Sequence, residues 1–297
     1  MDFPQILEFA EAGADQLAWS YVQSTADTSA KAERDVDYET CFSVGVHVLG
    51  CGPAYAQAVA EYALGFAIDL CRGISREDRA FRVGTERYLG GGNADSLLLR
   101  HSNIGFIGFG NLGRALRPLL SPFNPTIRAY DPWLPDAILR EADVLPYSLE
   151  VTLSQSHVIF VLATVTFESE HLLGLPQLAL IPTGARLVLV SRAAVIDYDT
   201  LFDQIEAGLI TAAVDVWPAE SVAAYDRGVD GAVLSAHRAG GIPAAFKQVG
   251  DMVLDDLTLI DSGLPPVRMQ PAARELVDRY RNRPAAPTPP TAGEAGA

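Results

Sequence analysis

The chain has 297 residues, of which 49% are hydrophobic and 20% are charged, and its formal net charge is −15 at pH 7. Because nucleic-acid backbones and anionic membranes attract clustered Lys and Arg, this charge argues against either as the main partner. No apolar run reaches the roughly 18 residues of a membrane span, and the N-terminus lacks a secretory signal pattern. Three cysteines without metal-ligand spacing favour a reduced compartment. The composition predicts a cytoplasmic protein of one large or two ordinary domains, without a metal site.

The first 53 residues are predicted to contribute two short strands. Residues 6–9 form an apolar run that ends in a loop at Gly13, and residues 23–37 are polar and typical of a loop. Residues 41–48 alternate between apolar and polar side chains, which is the period of a strand. The glycines and the proline that follow at 50–53 end this strand.

A long helix is predicted from residue 54 to about residue 82. Its apolar side chains recur at the spacing of one helix face. Two interpretations of this face remain open, because it would suit either the core of the domain or the contact surface of a dimer.

The pattern of residues 103–131 predicts a strand, a glycine turn, a helix and a second strand that ends at Asp131. Gly108, Gly110 and Gly113 form the GxGxxG spacing. The first glycine permits a tight turn, the second lets backbone N–H groups approach a pyrophosphate, and the third lets the helix lie close to the sheet. Asp131 follows at about the 20-residue distance expected for a carboxylate that binds the adenosine ribose.

These features predict a dinucleotide-binding site, although an ordinary turn tightened by glycines is the alternative. The cofactor is expected to be NAD, because Asp131 would repel a 2′-phosphate and no arginine directly follows it. Asp215 is included as a cofactor-binding candidate, while a buried acid at a strand end also suits a structural role. The full set of cofactor-binding candidates is Gly108, Gly110, Asn111, Leu112, Gly113, Asp131 and Asp215.

The alternation of strands and helices continues after Asp131. Continuous apolar strands separated by helix-length segments indicate a parallel sheet that is covered on both faces. The fold class is therefore α/β, with a Rossmann-type doubly wound parallel sheet. The further strands are predicted at 158–162, 186–190, 212–216 and 232–235, the helices at 199–207 and 244–261, and a disordered Pro/Ala-rich tail at 283–297.

Polar side chains that suit hydride exchange follow three of these strands. Arg192 follows RLVLV, Glu220 follows AAVDV and His237 follows AVLS. A guanidinium can clamp the carboxylate of a 2-oxo acid and polarise its carbonyl, and a histidine beside a carboxylate can exchange the hydroxyl proton. Taken alone, Arg192 would more simply be a surface residue, His237 a satisfied loop histidine and Glu220 a solvated acid. All three together, at consecutive strand ends, favour catalysis.

The segments PAYAQAVAE, GFGNLG, SRAAVID, DVWPAE and SAHRAGG resemble the D-isomer-specific 2-hydroxyacid dehydrogenases. The resemblance implies an NAD-dependent oxidoreductase for a small D-2-hydroxy or 2-oxo acid, with Arg192, Glu220 and His237 as catalytic residues. It also implies that the backbone amides of Ala12 and Gly13, together with Arg192, bind the substrate. Family members are usually homodimers of two-domain subunits.

The resemblance divides the chain into a dinucleotide-binding domain at 54–239 and a flavodoxin-like substrate domain at 1–53 and 240–282. Family members carry further strand–helix units before the strand at 6–9, so the substrate domain is expected to be truncated. The usual Asn-x-x-Arg-Gly motif also appears here as LVSRA, with Leu189 and Ala193 at two of its positions. The alternative function is therefore an NAD-binding sensor or scaffold with weak or no turnover.

Overall fold

The computed structural model describes residues 38–166, 168–218 and 231–273. The predicted strand at 6–9, the substrate-binding candidates Ala12 and Gly13, the catalytic candidate Glu220 and the tail at 283–297 lie outside the described residues.

The described elements are named here in chain order. The helices are α1 Tyr38–Ser43, α2 Gly52–Arg72, α3 Ile74–Val83, α4 Asn111–Leu120, α5 Asp136–Glu141, α6 Leu149–Ser154, α7 Leu175–Leu178, α8 Tyr198–Glu206 and α9 Pro243–Asp261. The strands are β1 Leu49–Gly50, β2 Asn103–Ile107, β3 Thr126–Tyr130, β4 Leu145–Pro146, β5 Val158–Val161, β6 Arg186–Leu189, β7 Thr211–Val214, β8 Ala232–Leu234 and β9 Gln270–Pro271.

Seven strands form one parallel sheet in the order β4-β3-β2-β5-β6-β7-β8. The first of them in sequence, β2, lies inside the sheet, where Ile104 pairs with Ile127 of β3 on one side and Val158 of β5 on the other. The chain therefore winds outward in one direction to β4 and then in the opposite direction to β8. This reversal leaves a crevice beyond the carboxyl ends of β2 and β5, where doubly wound sheets bind their ligands. The predicted α/β Rossmann-type sheet is confirmed.

Both faces of this sheet are covered. Every residue of β5 and β6 is buried, as expected for strands between two helical layers. One face packs against α2 and α4 through aromatic residues that include Phe106 and Phe160, and the other packs against α8 through Phe202. The predicted strands after Asp131 and the two predicted helices at 199–207 and 244–261 are all present.

A smaller unit lies beside this sheet. β1 pairs antiparallel with β9, and a separate cluster of buried side chains joins these strands to α9. The cluster comprises Leu49, Cys51, Ala54, Val249, Met252, Ile260 and Met269.

The predicted strand at 41–48 is wrong. The described chain instead forms the helix Tyr38–Ser43, and pairing begins only at Val48, whose carbonyl oxygen accepts from Ala272 N at 2.8 Å, just before the strand Leu49–Gly50. Gly45 has a φ of 77°, and Val46 N donates to Cys41 O at 2.8 Å, which is the hydrogen-bond pattern that closes a helix C-terminus at a left-handed glycine. The glycine signal thus prevailed over the alternating pattern.

The single helix predicted from 54 to 82 is two helices. Gly73 has a φ of 66° and donates to Asp69 O, so it ends α2, and α3 begins at the next residue. The apolar face of α2 packs in the core, whereas none of the ten residues of α3 is buried. Across the described residues, the structure contains no helix with the length and apolar character to cross a membrane.

Candidate active site

A cavity of about 780 Å³ lies at the carboxyl ends of the central strands. The large sheet contributes Gly108, Arg192 and His237 to its wall, and the smaller unit contributes Cys51 and Gln270. Its volume is in the range of small-molecule and cofactor sites. The crevice between the two units is therefore the candidate site.

The glycine turn after β2 has the shape that a dinucleotide requires. Gly108 has a φ of 93°, and a Cβ there would lie 2.9 Å from Ala163 Cα, so a side chain is excluded by the end of β5. A Cβ on Gly113 would lie 2.9 Å from Phe109 Cδ2, so α4 packs closely against the Phe109 ring of the glycine turn. A Cβ on Gly110 would meet no atom of the described residues within 4 Å, although Gly110 lines the cavity. The open space at Gly110 is where a pyrophosphate would approach the backbone.

The first turn of α4 faces the same space. Asn111 and Leu112 line the cavity, and no side chain among the described residues caps this helix N-terminus. The first amides of a helix lack intrahelical acceptors and carry the positive end of its dipole. Arg114, in the same turn, also lines the cavity. The residues present therefore fit the diphosphate of a dinucleotide.

Asp131 directly follows β3 at the wall of the cavity and is hydrogen-bonded to the glycine turn. Its Oδ2 accepts from Phe109 N at 2.8 Å, and its Oδ1 accepts from Trp133 N at 3.0 Å and Leu134 N at 3.1 Å. A carboxylate offers about four acceptor positions, so one remains for a ribose hydroxyl. Beside it, Trp133 Nε1 donates to Glu168 Oε2 at 2.9 Å.

Asp215 is 1% exposed and organises the loop that carries His237. Its Oδ1 accepts from Ser235 Oγ at 2.6 Å and Arg238 N at 2.8 Å, and its Oδ2 accepts from Ala239 N at 3.0 Å. Its carbonyl oxygen accepts from His237 N at 2.8 Å. Asp215 also lines the cavity, so its predicted contact with the cofactor stays a prediction beside this structural role.

His237 has a φ of 51°, a left-handed conformation that costs a residue with a side chain roughly 1–2 kcal/mol. The surrounding bonds hold it there. Ser235, two residues before it, accepts from Tyr62 OH through Oγ at 2.8 Å and from Trp217 Nε1 through its carbonyl oxygen at 2.7 Å. The half-buried His237 side chain is thereby placed at the wall of the cavity.

Arg192 follows β6 and is half-buried at the same wall. Its Nη1 donates to Ser191 O at 2.9 Å, and a short 3-10 helix, Ala193–Val195, begins directly after it. Leu189, which stands where the family usually has Asn, is fully buried in β6 and packs in the core. The structure thus brings Arg192 and His237 to one cavity, while the predicted pairing of His237 with Glu220 stays a prediction.

Three residues of this wall did not emerge from the sequence. Tyr55 and Cys51 lie at the start of α2 and line the cavity. The sequence pattern did not distinguish them from the apolar residues of that helix. Burial raises the pKa of the Tyr55 hydroxyl, and its contact with the Cys51 thiol raises it further. Gln270 lies in a segment without any motif, and only the pairing of β9 with β1 brings it to the cavity.

Comparison with known proteins identifies the family. The model of the D-isomer specific 2-hydroxyacid dehydrogenase NAD-binding domain matches residues 64–239. The chain belongs to this family. NAD is the cofactor of this chain. The family consists of NAD-dependent D-2-hydroxyacid dehydrogenases.

Individual relatives differ in how much of their length the chain covers. It is 43% identical to a phosphoglycerate oxidoreductase from Rhizobium etli of known crystal structure, with a TM-score of 0.74 over 87% of this chain and 82% of that chain. It is 26% identical to the hydroxypyruvate reductase of Thermotoga maritima over 73% of this chain and 70% of the relative. It is 24% identical to the D-3-phosphoglycerate dehydrogenase of Archaeoglobus fulgidus, of which it spans 44%.

Proposed function

We propose that the chain transfers a hydride between NAD and a small D-2-hydroxy acid or the corresponding 2-oxo acid. The observation that carries this proposal is that Arg192 and His237 line the same cavity as the glycine turn, beyond the carboxyl ends of β6, β8 and β2 of one parallel sheet. When bound, NAD supplies or accepts the hydride. The protein side chains bind the acid and move the proton.

Arg192 binds the carboxylate of the substrate in this proposal. A guanidinium presents parallel N–H donors that match the two oxygens of a carboxylate, and its charge also polarises an adjacent carbonyl. Ala12 and Gly13 are proposed to donate further backbone hydrogen bonds to the carboxylate.

His237 is proposed to give its proton to the carbonyl oxygen during reduction and to take it back during oxidation. Glu220 is its proposed carboxylate partner and favours the charged imidazolium from which the proton is donated. The bonds of Asp215 around the His237 loop support this role, because an acid–base residue must be held within hydrogen-bond reach of the substrate.

The test is NADH oxidation in the presence of glyoxylate, pyruvate, hydroxypyruvate and 3-phosphohydroxypyruvate. His237→Ala should lower kcat by about 100-fold or more while the Kd for NADH stays unchanged. His157→Ala is the matched control, because this exposed histidine precedes β5 at the opposite end of the sheet. If the wild-type chain binds NADH but reduces none of these acids, the sensor or scaffold alternative replaces this proposal.

The pairing of His237 with Glu220 predicts a shift of the pH profile. Glu220→Gln removes the charge that favours the imidazolium, so the loss of reductase activity with rising pH should occur at lower pH. Glu206→Gln, an exposed residue of α8, is the control. A profile that Glu220→Gln leaves in place would contradict the pairing.

We further propose that residues 54–239 form the dinucleotide-binding domain and that 1–53 and 240–282 form the substrate domain. The separate cluster around β1, β9 and α9 supports this division. Buried thiols at Cys51 and Cys71 are consistent with a cytoplasmic location, where thiols stay reduced.

A homodimer is proposed through α3. This helix and the loop after it expose Ile74, Phe81, Val83 and Tyr88, with between 55% and 73% of each residue accessible. Exposed apolar residues grouped on one element mark an interaction surface. Phe81→Glu should convert a dimer to a monomer in light scattering, whereas Leu209→Glu, at an exposed position elsewhere, should not. A wild-type monomer at micromolar concentration would contradict the proposal.

A further inference from the structure

Gln270 lies at the N-terminus of α4, although 159 residues separate it from the first residue of that helix. Asn111 Nδ2 donates to Gln270 Oε1 at 2.8 Å, and both residues line the cavity. Because Asn111 is the first residue of α4, its partner lies beside the free amides that follow the glycine turn. The side chain of Gln270 is therefore next to the proposed position of the pyrophosphate.

The hydrogen bond to Asn111 keeps the Gln270 amide group beside the N-terminus of α4, with Oε1 placed as the acceptor. Since Oε1 is the acceptor, the two N–H donors of Nε2 occupy the other side of the amide group. Nε2 has no hydrogen-bond partner in the part of the chain that the structure describes, and Gln270 is exposed. Its backbone is held by the pairing of β9 with β1, opposite Gly50.

We propose that Gln270 is a cofactor-binding residue that donates a hydrogen bond from β9 to the pyrophosphate of NAD. The cofactor is then bound by both units, with the amides of α4 on one side of the anion and the Gln270 amide on the other. This assignment rests on NAD binding alone and does not depend on the identity of the substrate.

A purely structural role for Gln270 would also produce the contact with Asn111. Gln270 could join the two units only through Asn111, without touching the cofactor. Gln270→Glu separates these roles, because a carboxylate still accepts the hydrogen bond from Asn111 but offers no N–H donor and brings a negative charge to the pyrophosphate.

The experiment compares the Kd values of ADP-ribose and adenosine, measured by calorimetry on the full chain. ADP-ribose contains the pyrophosphate and adenosine does not. In Gln270→Glu, the Kd for ADP-ribose should rise by about tenfold or more, whereas that for adenosine should change by less than about twofold. The thermal midpoint should stay that of the wild type. Gln248→Glu is the matched control, since it adds the same charge to an exposed face of α9, outside the cavity.

Gln270→Ala provides a second variant that adds no charge. This variant should raise the Kd for ADP-ribose more than the Kd for adenosine. The rise should be smaller than in Gln270→Glu, because Gln270→Ala removes the N–H donor without adding charge repulsion. An unchanged Kd for ADP-ribose in Gln270→Glu would overturn the proposal. Equal weakening of ADP-ribose and adenosine would also overturn it, because such a result assigns Gln270 a purely structural role.

Discussion

The two glycines at 108 and 110 lack side chains for different reasons, and this difference gives a prediction. Gly108→Ala places a Cβ 2.9 Å from the backbone of Ala163 at a φ of 93°, so it should lower the free energy of unfolding by about 1–3 kcal/mol. The new methyl group of Gly110→Ala meets no atom within 4 Å in the part of the chain that the structure describes, so this variant should leave that free energy nearly unchanged. Its methyl group occupies the path of the pyrophosphate, so the Kd for NADH should rise.

Urea unfolding and fluorescence titration with NADH measure the two effects separately. A large loss of stability in Gly110→Ala, or wild-type affinity for NADH in the same variant, would show that the open space beside this glycine has another purpose.

Asp215 is predicted to position His237 rather than to take part in proton transfer. Asp215→Asn replaces one acceptor by an amide donor, which would then face the N–H of Arg238 or Ala239. Leaving a buried donor without an acceptor costs about 1–3 kcal/mol, so stability should fall by this amount. Turnover should also fall, because the loop that carries His237 loses its support, but the position of the pH profile should stay fixed.

The control for Asp215→Asn is Asp199→Asn, at an exposed position of α8. Thermal unfolding and a full pH profile are the measurements. A profile displaced along the pH axis would instead assign Asp215 a direct role in the proton transfer.

At the scale of elements, α9 is joined to the chain after it by one buried carboxylate. Asp256 is 1% exposed and accepts from Val267 N, Arg268 N and Met269 N at 2.7 to 2.9 Å. Burial raises the pKa of this carboxyl, but the three backbone hydrogen bonds and the positive charge of Arg268 together lower it by more, so the pKa lies below its ordinary value. The ionised form is therefore bound more favourably in the folded state than in the unfolded chain.

This shift gives a prediction for the pH dependence of stability. The contribution of Asp256 is fully present above the carboxyl pKa of the unfolded chain, about 4, and is lost as the pH falls through the lower pKa of the folded state. At pH 7, Asp256→Asn should lower the free energy of unfolding by about 1.5–3 kcal/mol. The difference from the wild type should shrink below about pH 4. Urea unfolding at several pH values tests this, and a difference that is constant across the series would contradict it.

The sequence predicted the elements with a strong period and missed those without one. Buried strands such as Val158–Val161 and the long helix Pro243–Asp261 were evident from apolar runs and helical spacing. The two-residue strand Leu145–Pro146 and the short helices α5, α6 and α7 are too brief to establish a period. The misassigned strand at 41–48 shows the same limit, since the left-handed Gly45, and not a sequence period, determines the local structure.

The candidate site follows a similar rule. Gly108, Gly110, Asp131, Arg192 and His237 were predicted because each lies at a strand end or in a motif with fixed spacing, and all of them line the cavity. Gln270 reaches the cavity through the pairing of β9 with β1, which no local pattern encodes, and Tyr55 lies in the first turn of α2, where it is not distinguished from the apolar positions of that helix. The bonds of Asp215 to its loop likewise became evident only from the fold.

For the whole molecule, the cavity is lined by both units, so we predict that bound NADH protects backbone amides of both units from hydrogen exchange. Hydrogen exchange should slow at the glycine turn and the first turn of α4, and also in residues 267–273. Slower exchange in residues 267–273 is expected because a ligand that contacts both units stabilises the arrangement in which the two units lie together. Residues 198–206, in α8 on the far face of the sheet, provide the internal reference. Protection confined to the glycine turn would show that NADH binds to the large sheet alone.

The central position of β2 has a consequence for synthesis on the ribosome. β2, β3 and β4 leave the exit tunnel first, and they can form one half of the sheet before β5 exists. Until residue 161 has emerged, the edge of β2 that later pairs with β5 keeps its hydrogen-bonding groups free, and the apolar side chains Ile104 and Phe106 lack part of their cover. An unpaired apolar edge of this kind is a template for pairing with another chain. We therefore expect nascent chains arrested between the emergence of β4 and that of β5 to aggregate more, and to bind chaperones more, than chains arrested after β5 has emerged.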